Sequence, residues 1–162
     1  YDETDGLFYF NSIKDAPLIA RQKEVQDNVI PASNSVMANA LYEIGIYFEI
    51  EQYVKMAQKM CAYFYNEIEQ YGSAYANWAL LLLKFEMPVQ QIAIPSNEFC
   101  HTTIKLLKSN KMNVFTYSTQ NSSVLPFVAD KKNDKHFYLC SDNVCGLPLN
   151  NLNELITAFD NL

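Results

Sequence analysis

The sequence predicts a mixed fold, in which a helical segment over residues 1–88 precedes a small unit with the order β-α-β-β-α over residues 89–162. Apolar residues recur at helical spacing between residues 36 and 85. Pro88 ends that pattern, and short runs rich in β-branched and aromatic residues follow it. We therefore expect two domains that differ in class, the first helical and the second α/β.

Three helices are predicted in the first segment. The first begins near Ser33 or Asn34, either of which can cap a helix, and the others cover residues 51–71 and 74–85. The buried stripe of the first helix is expected to consist of Val36, Ala40, Leu41, Ile44 and Tyr47. Such helices form either a small bundle completed by the α/β unit or part of a larger helical ring, and periodicity does not separate these alternatives.

The second segment reads as alternating short strands and helices. Strands are predicted over residues 91–94, 114–117 and 136–140, and a helix is expected to start near Ser96. The first β-α-β should be a parallel, right-handed crossover. Asn151 and Glu154 have capping-box spacing at the start of a final helix.

Composition and charge exclude several classes of function. The formal net charge of −6 argues against a nucleic-acid surface, which needs a basic patch. No apolar run approaches the ~20 residues of a membrane span, no signal peptide is visible, and the absence of an initiator Met leads us to expect an upstream part. Four dispersed cysteines favour a reducing, cytoplasmic location. Neither a nucleotide motif nor a metal motif is present, so we expect no cofactor.

The connection from Arg21 to Ser35 is the first candidate for chemistry, because it concentrates charged, amide and hydroxyl side chains just before a helix. The start of a helix favours an anionic or polyhydroxyl ligand. The alternative interpretation is structural: Asp27, Ser33 and Asn34 would then only satisfy backbone donors in turns and caps.

Cys140 and Cys145 are the second candidate. Their Cys-x4-Cys spacing differs from the Cys-x2-Cys of redox and zinc motifs. His136 would share a face of the strand with Cys140, but no fourth zinc ligand is visible. We expect two free thiols that pack at the end of the strand, beside Leu147 and Pro148, with a redox role as the alternative.

Several of these segments resemble one protein family. Arg-x-Lys-Glu…Asp…Pro-Ala-Ser-Asn-Ser-Val over residues 21–36 is similar to the pattern Arg-x-Lys-Glu/Asp…Asp…Pro-Ser-x-Asn-Ser-Val of the thioredoxin-domain-containing proteins related to spermatogenesis-associated protein 20. Phe-Tyr-Leu-Cys…Cys-Gly-Leu-Pro over residues 137–148 resembles that family's Tyr-Val-Cys-x4-Cys-x-x-Pro ending. Residues 91–94 and Leu125-Pro126 fall where the family has a strand and a Leu-Pro pair. Ala32 departs from the family's first Ser, so a hydroxyl contact to a ligand is not expected there.

The resemblance implies an upstream thioredoxin-like domain and a helical (α/α) barrel similar to six-hairpin glycosidases and N-acylglucosamine 2-epimerases. This chain would then hold the last helical hairpins of the barrel and the terminal α/β unit. The leading functional hypothesis is a ligand-binding, carbohydrate-active barrel that binds a small carbohydrate-like ligand. The alternative is a non-catalytic module that supports the upstream thioredoxin-like domain.

The polar connection and the family pattern together give four candidate ligand-binding residues: Arg21, Asp27, Asn34 and Ser35. Arg21 would clamp a carboxylate or a pair of hydroxyls, and Asp27 would orient it or act as a base. The rings of Phe8 and Tyr9 would stack on a sugar face.

Overall fold

Six helices and a four-stranded sheet make up the part of the chain that the computed structural model describes, which is residues 1–12, 14, 20–109, 111–121, 124–131 and 135–161. They belong to two units. The first comprises Tyr1–Ile46 with Ile50–Phe85, and the second comprises Tyr47–Glu49 with Glu86–Leu162. In the described ranges, no helix combines the length and the apolar character that crossing a membrane requires.

The helices of the first unit are α1 (Ser33–Tyr47), α2 (Glu51–Tyr63), α3 (Tyr65–Gln70) and α4 (Ala76–Glu86), with a 3-10 turn over Gly72–Tyr75. The prediction of one helix over residues 51–71 is wrong, because Phe64 leaves helical geometry at φ −105° and ψ 15°. Its buried ring lies 4.7 Å, centroid to centroid, from that of Trp78. The break therefore places an aromatic ring in the core.

The irregular segment before α1 contributes to the core of this unit. Trp78 is fully buried, and its indole N–H donates to the carbonyl of Val25 at 2.8 Å. Leu7 is also buried. Because these residues cover apolar surface of the helices, the unit has its own core.

The predicted fold class, with helical hairpins from an (α/α) barrel, is therefore wrong. The described helices form no ring of hairpins, and a non-helical segment covers part of their apolar surface instead. The predicted order β-α-β-β-α also lacks a strand that the structure contains. Hydrophobic periodicity shows which residues favour burial, but it does not identify the segment that covers them.

The predicted stripe of α1 is correct at Leu41, which is buried, but wrong at two of its apolar residues. Val36 and Ile44 are 50% and 43% exposed. The helix instead buries one row of mostly small or polar residues, namely Asn34, Ser35, Ala38, Leu41, Tyr42 and Gly45. Compared with the predicted orientation, α1 is rotated about its axis, because hydrogen bonds hold the side chains of Asn34 and Ser35 inside the unit.

The second unit contains β1 (Gln90–Ile94), α5 (His101–Lys108), β2 (Val114–Ser118), β3 (Tyr138–Ser141), β4 (Val144–Cys145) and α6 (Leu152–Asp160). The sheet order is β2-β1-β3-β4. β1 pairs in parallel with β2 and antiparallel with β3, and β3 pairs antiparallel with β4. The described order is thus β-α-β-β-β-α.

The parallel strands β1 and β2 are buried along their whole length, as expected for strands covered on two faces. One face packs on the helices through a cluster that includes Ile92, Leu107 and Leu155. On the other face, the Gln91 amide donates to the Tyr117 hydroxyl at 2.9 Å. Burial raises the pKa of Tyr117 to about 12.

Candidate functional site

Arg21, the first of the four predicted ligand-binding residues, lies against an aromatic ring. Its guanidinium carbon is 3.8 Å from the ring centroid of Tyr9, and Nη2 donates to the carbonyl of Asn11 at 3.1 Å. The Tyr9 hydroxyl in turn donates to Asp2 at 2.7 Å. The ring of Phe8, the other stacking candidate, lies 5.1 Å from that of Tyr1. These groups therefore already interact within the amino-terminal segment.

Lys23 joins this segment through two carboxylates. Its ammonium lies 2.7 Å from Asp2 and 2.6 Å from Asp5. Hydrogen bonds from Lys23 hold the pKa of both carboxyl groups below its ordinary value. The segment is thus fixed by charge-assisted hydrogen bonds as well as by apolar burial.

Asp27 and Ser35, the second and fourth candidates, are brought into direct contact. The Ser35 hydroxyl donates to Asp27 Oδ1 at 2.7 Å, and the backbone N–H of Ala32 donates to the same oxygen at 2.9 Å. Asp27 Oδ2 accepts from the backbone N–H of Asn77 at 2.8 Å. Asp27 therefore binds donors at the starts of both α1 and α4, as a capping residue does.

Asn34, the third candidate, is buried and bonded to the backbone of the preceding segment. Its Oδ1 accepts from the N–H of Phe8 at 2.7 Å. Its Nδ2 donates to the carbonyls of Phe8 and Glu24, both at 2.9 Å. A ligand at Asp27, Asn34 or Ser35 would have to replace these internal bonds, so their role in binding stays a prediction.

Cys140 and Cys145 form a disulfide, so the prediction of two free thiols is wrong. Asp142 and Asn143 link β3 to β4 with positive φ values of 46° and 66°, as a two-residue type I′ turn requires. That turn places Cys140 directly opposite Cys145, with Cα atoms 3.9 Å apart. The turn propensity of Asp142-Asn143 was visible in the sequence, whereas the strand that completes the hairpin was missed.

The other two cysteines are free and differ in environment. Burial raises the pKa of the Cys61 thiol to about 11. Cys100 is exposed, and a hydrogen bond with Thr103 lowers the pKa of its thiol. Within the described residues, no group of three or more His, Cys, Asp and Glu side chains is placed to hold a metal ion.

A pocket of about 560 Å³ lies in the second unit, near the carboxyl end of β1. Residues from the segment after β1, the segment before β3 and the start of α6 surround it. Its polar lining consists of Asn97, Glu98, Lys135, Asn150, Asn151 and Asn153. The carboxyl end of a strand beside the start of a helix is a recurrent position for ligands in α/β folds.

The four Asn residues of this lining differ in their hydrogen-bond partners. The Asn151 side chain accepts from the backbone N–H of Glu154 at 3.0 Å, and Asn150 donates to the Glu154 carboxylate through its backbone at 2.8 Å. These two residues therefore stabilise the start of α6. All four Asn residues are exposed. The amide of Asn97 donates to the Glu98 carboxylate at 3.5 Å, within the pocket lining itself. Asn97 and Asn153 take no part in these bonds at the start of α6 and are the amides best placed to meet a ligand.

The pocket combines polar walls with two apolar side chains. Leu152 is half-buried and presents apolar surface, whereas Phe137 is buried in the core beneath it. Lys135 and Glu98 carry opposite charges and add one cationic and one anionic group to the amides. In the sequence, the segment near Ser96 and the pair Asn151…Glu154 predict only helix starts. The signal it missed is the density of Asn at residues 150–153.

The described lining residues include no Cys, His, Ser or Tyr. Amides both donate and accept hydrogen bonds, which suits a ligand with several hydroxyl groups. Comparison with known proteins adds no assignment, because no family model, curated protein or solved structure matches the chain.

Proposed function

We propose that the second unit binds a small hydroxyl-rich molecule, such as a sugar or a sugar acid, in the pocket near the carboxyl end of β1. The observation that supports this is the lining, where the exposed amides of Asn97 and Asn153 lie with one ammonium and one carboxylate. The volume of about 560 Å³ is within the usual range for ligand pockets.

Each group has a distinct part in the proposed binding. The amides of Asn97 and Asn153 each donate to one hydroxyl and accept from another. Lys135 pairs with an acidic group of the ligand, which distinguishes sugar acids from neutral sugars, and Glu98 accepts from hydroxyls. Leu152 meets the apolar face of the ring.

The proposal replaces the predicted barrel cavity with a site in the second unit, so it does not depend on Arg21, Asp27, Asn34 or Ser35. The relationship to the thioredoxin-domain-containing family is retained as a proposal. It would be supported if the complete gene product carries a thioredoxin-like domain upstream of residue 1. The family resemblance and the pocket lining both favour a carbohydrate as the ligand.

A thermal-shift screen against neutral sugars and sugar acids, followed by titration calorimetry, tests the proposal. Ligand that binds only the folded state raises the unfolding temperature. Asn97→Ala and Asn153→Ala should each weaken binding about tenfold, as expected for loss of one hydrogen bond to a polar ligand. Asn28→Ala, an exposed amide in the first unit, is the matched control and should bind as wild type.

Side-chain amide resonances identify the site independently. Those of Asn97 and Asn153 should shift on titration, while that of Asn28 should not. The proposal is wrong if a ligand shifts only resonances outside the lining, or if no sugar or sugar acid at millimolar concentration shifts any lining amide.

The non-catalytic module is the second candidate function, and one observation favours it. Val36 and Ile44 lie on the same face of α1, about two turns apart, at 50% and 43% exposure. In α4, Leu80 and Leu83 are exposed as well. Exposed apolar rows of this kind are typical of surfaces that bind another domain. Val36→Ser with Ile44→Ser should then weaken association with the upstream region in size-exclusion chromatography. Unchanged co-elution would count against this function.

A further inference from the structure

The disulfide joins one buried and one exposed residue. Cys140 lies on β3 and is fully buried, whereas Cys145 lies on β4 and is exposed. β4 pairs only with β3 and forms one edge of the sheet. A reagent in solution therefore approaches the pair from the side of Cys145.

Two apolar side chains flank the exposed cysteine. Val144 is 75% exposed and Leu147 is 85% exposed. Both lie within two residues of Cys145, and Gly146 between them adds no side chain. An apolar pair beside an accessible disulfide offers contact area to a protein that approaches this edge.

We propose that the Cys140–Cys145 disulfide is a thiol–disulfide exchange site whose partner is a protein dithiol, and that Cys145 is the sulfur attacked. The partner's thiolate forms a bond to Cys145 Sγ, and the bond between Cys145 Sγ and Cys140 Sγ breaks. The electron pair leaves on Cys140 Sγ, which takes up a proton. The product is a mixed disulfide between the partner and Cys145.

The partner's second thiol completes the exchange. After losing its proton, it attacks the partner's first sulfur, and Cys145 leaves as a thiolate that is then protonated. The partner becomes a disulfide, and the cysteine pair gains two electrons and two protons. The reductant is therefore the dithiol itself, and no other reactant is required.

β3 can stay in the sheet during this reaction, because its pairing with β1 does not require β4. β1 pairs with β3 from Gln90↔Ser141 to Ala93↔Tyr138, whereas β4 contains only two residues. Opening the disulfide releases the edge of the hairpin and leaves β3 between β1 and the turn. The exchange therefore needs local motion only, and not unfolding of the unit.

Kinetic trapping tests the proposal on the whole chain carrying Cys100→Ser, which removes the exposed free thiol. Cys61 stays silent because burial raises its pKa to about 11. The probe is a Cys-x-x-Cys oxidoreductase whose second cysteine is replaced by serine, so that a mixed disulfide accumulates. Peptide mass spectrometry should place that mixed disulfide on Cys145.

A second pair of variants separates docking from simple accessibility. Val144→Ser with Leu147→Ser should slow reduction by the intact dithiol protein about tenfold, since it removes apolar contact area, and should leave the rate with dithiothreitol unchanged. Pro148→Ala, which changes an exposed neighbour, is the matched control and should leave both rates unchanged.

Three results would overturn the proposal. The first is a purified protein with four thiols and no disulfide. The second is that the thiols of the pair appear only after denaturation. The third is a mixed disulfide on Cys140 and not on Cys145. Equal slowing of both reductants by the Val144 and Leu147 variant would overturn the assignment of a protein partner.

Discussion

Asp27 is the residue whose replacement separates a structural role from a ligand-binding role most sharply. Its carboxylate accepts from the backbone N–H groups of Ala32 and Asn77 and from the hydroxyl of Ser35, at 2.7–2.9 Å. Asp27→Ala removes all three acceptor contacts. The starts of α1 and α4 then lose their shared side-chain acceptor.

The expected loss follows from these contacts. A capping side chain contributes about 1 kcal/mol, and Asp27 serves two helix starts. The hydrogen bond from Ser35, which is fully buried, adds about 1 kcal/mol. We expect Asp27→Ala to lower the free energy of unfolding of the first unit by about 3 kcal/mol. Asp27→Asn keeps one oxygen but turns an NH2 group toward a donor, so about 2 kcal/mol should be lost.

Urea unfolding followed by tryptophan fluorescence measures this loss in the relevant unit. Trp78 is the chain's single tryptophan and is fully buried in the first unit. Ser33→Ala is the matched control, because Ser33 Oγ is buried without a hydrogen-bond partner among the described residues. It should not lower the free energy of unfolding, because removing an unpaired buried hydroxyl leaves no partner unsatisfied. An Asp27→Ala protein as stable as this control would refute the structural role and favour ligand binding.

Other contacts lead to three further expectations. A Cβ at Gly45 would come within 2.6 Å of a side chain of α2, so Gly45→Ala should cost about 1–2 kcal/mol in urea unfolding, whereas Gly72→Ala, with no atom within 4 Å, should not destabilise the unit. Tyr117→Phe leaves a buried amide on β1 without its acceptor and should cost about 1–2 kcal/mol, measured by circular dichroism in urea. Lys23 lowers the pKa of Asp5 from 3.8, so the stabilisation from this pair is present above that pH and is lost as pH falls through the lowered pKa. Lys23→Met should lower the free energy of unfolding at neutral pH and make it fall less on acidification, measured by urea unfolding at a series of pH values.

The elements that the sequence predicts correctly are those whose pattern lies within one continuous stretch of the chain. The capping-box spacing of Asn151 and Glu154 marks the start of α6, where each side chain bonds the other residue. The parallel pairing of β1 with β2 follows from one helix between two apolar strands. Each of these features follows from a pattern in one continuous stretch of the chain.

The sequence does not predict the features that depend on contacts between separate segments or on a very short strand. The break at Phe64 depends on the ring of Trp78, which lies 14 positions later. The pocket is formed by three separate segments, and none of them alone has a binding motif. The disulfide depends on β4, whose two residues are too few to give a period-2 pattern.

The rotation of α1 has a calculable cause. Leaving Val36 and Ile44 about half exposed forgoes roughly 1 kcal/mol of apolar burial for each. Turning the helix to bury them would withdraw Asn34 and Ser35 from their buried partners, and each orphaned group would cost about 1–3 kcal/mol. Since the Asn34 side chain bonds the N–H and carbonyl of Phe8 and the carbonyl of Glu24, the polar contacts outweigh the apolar ones. The exposed apolar row of α1 is therefore a consequence of the same network that holds Asp27.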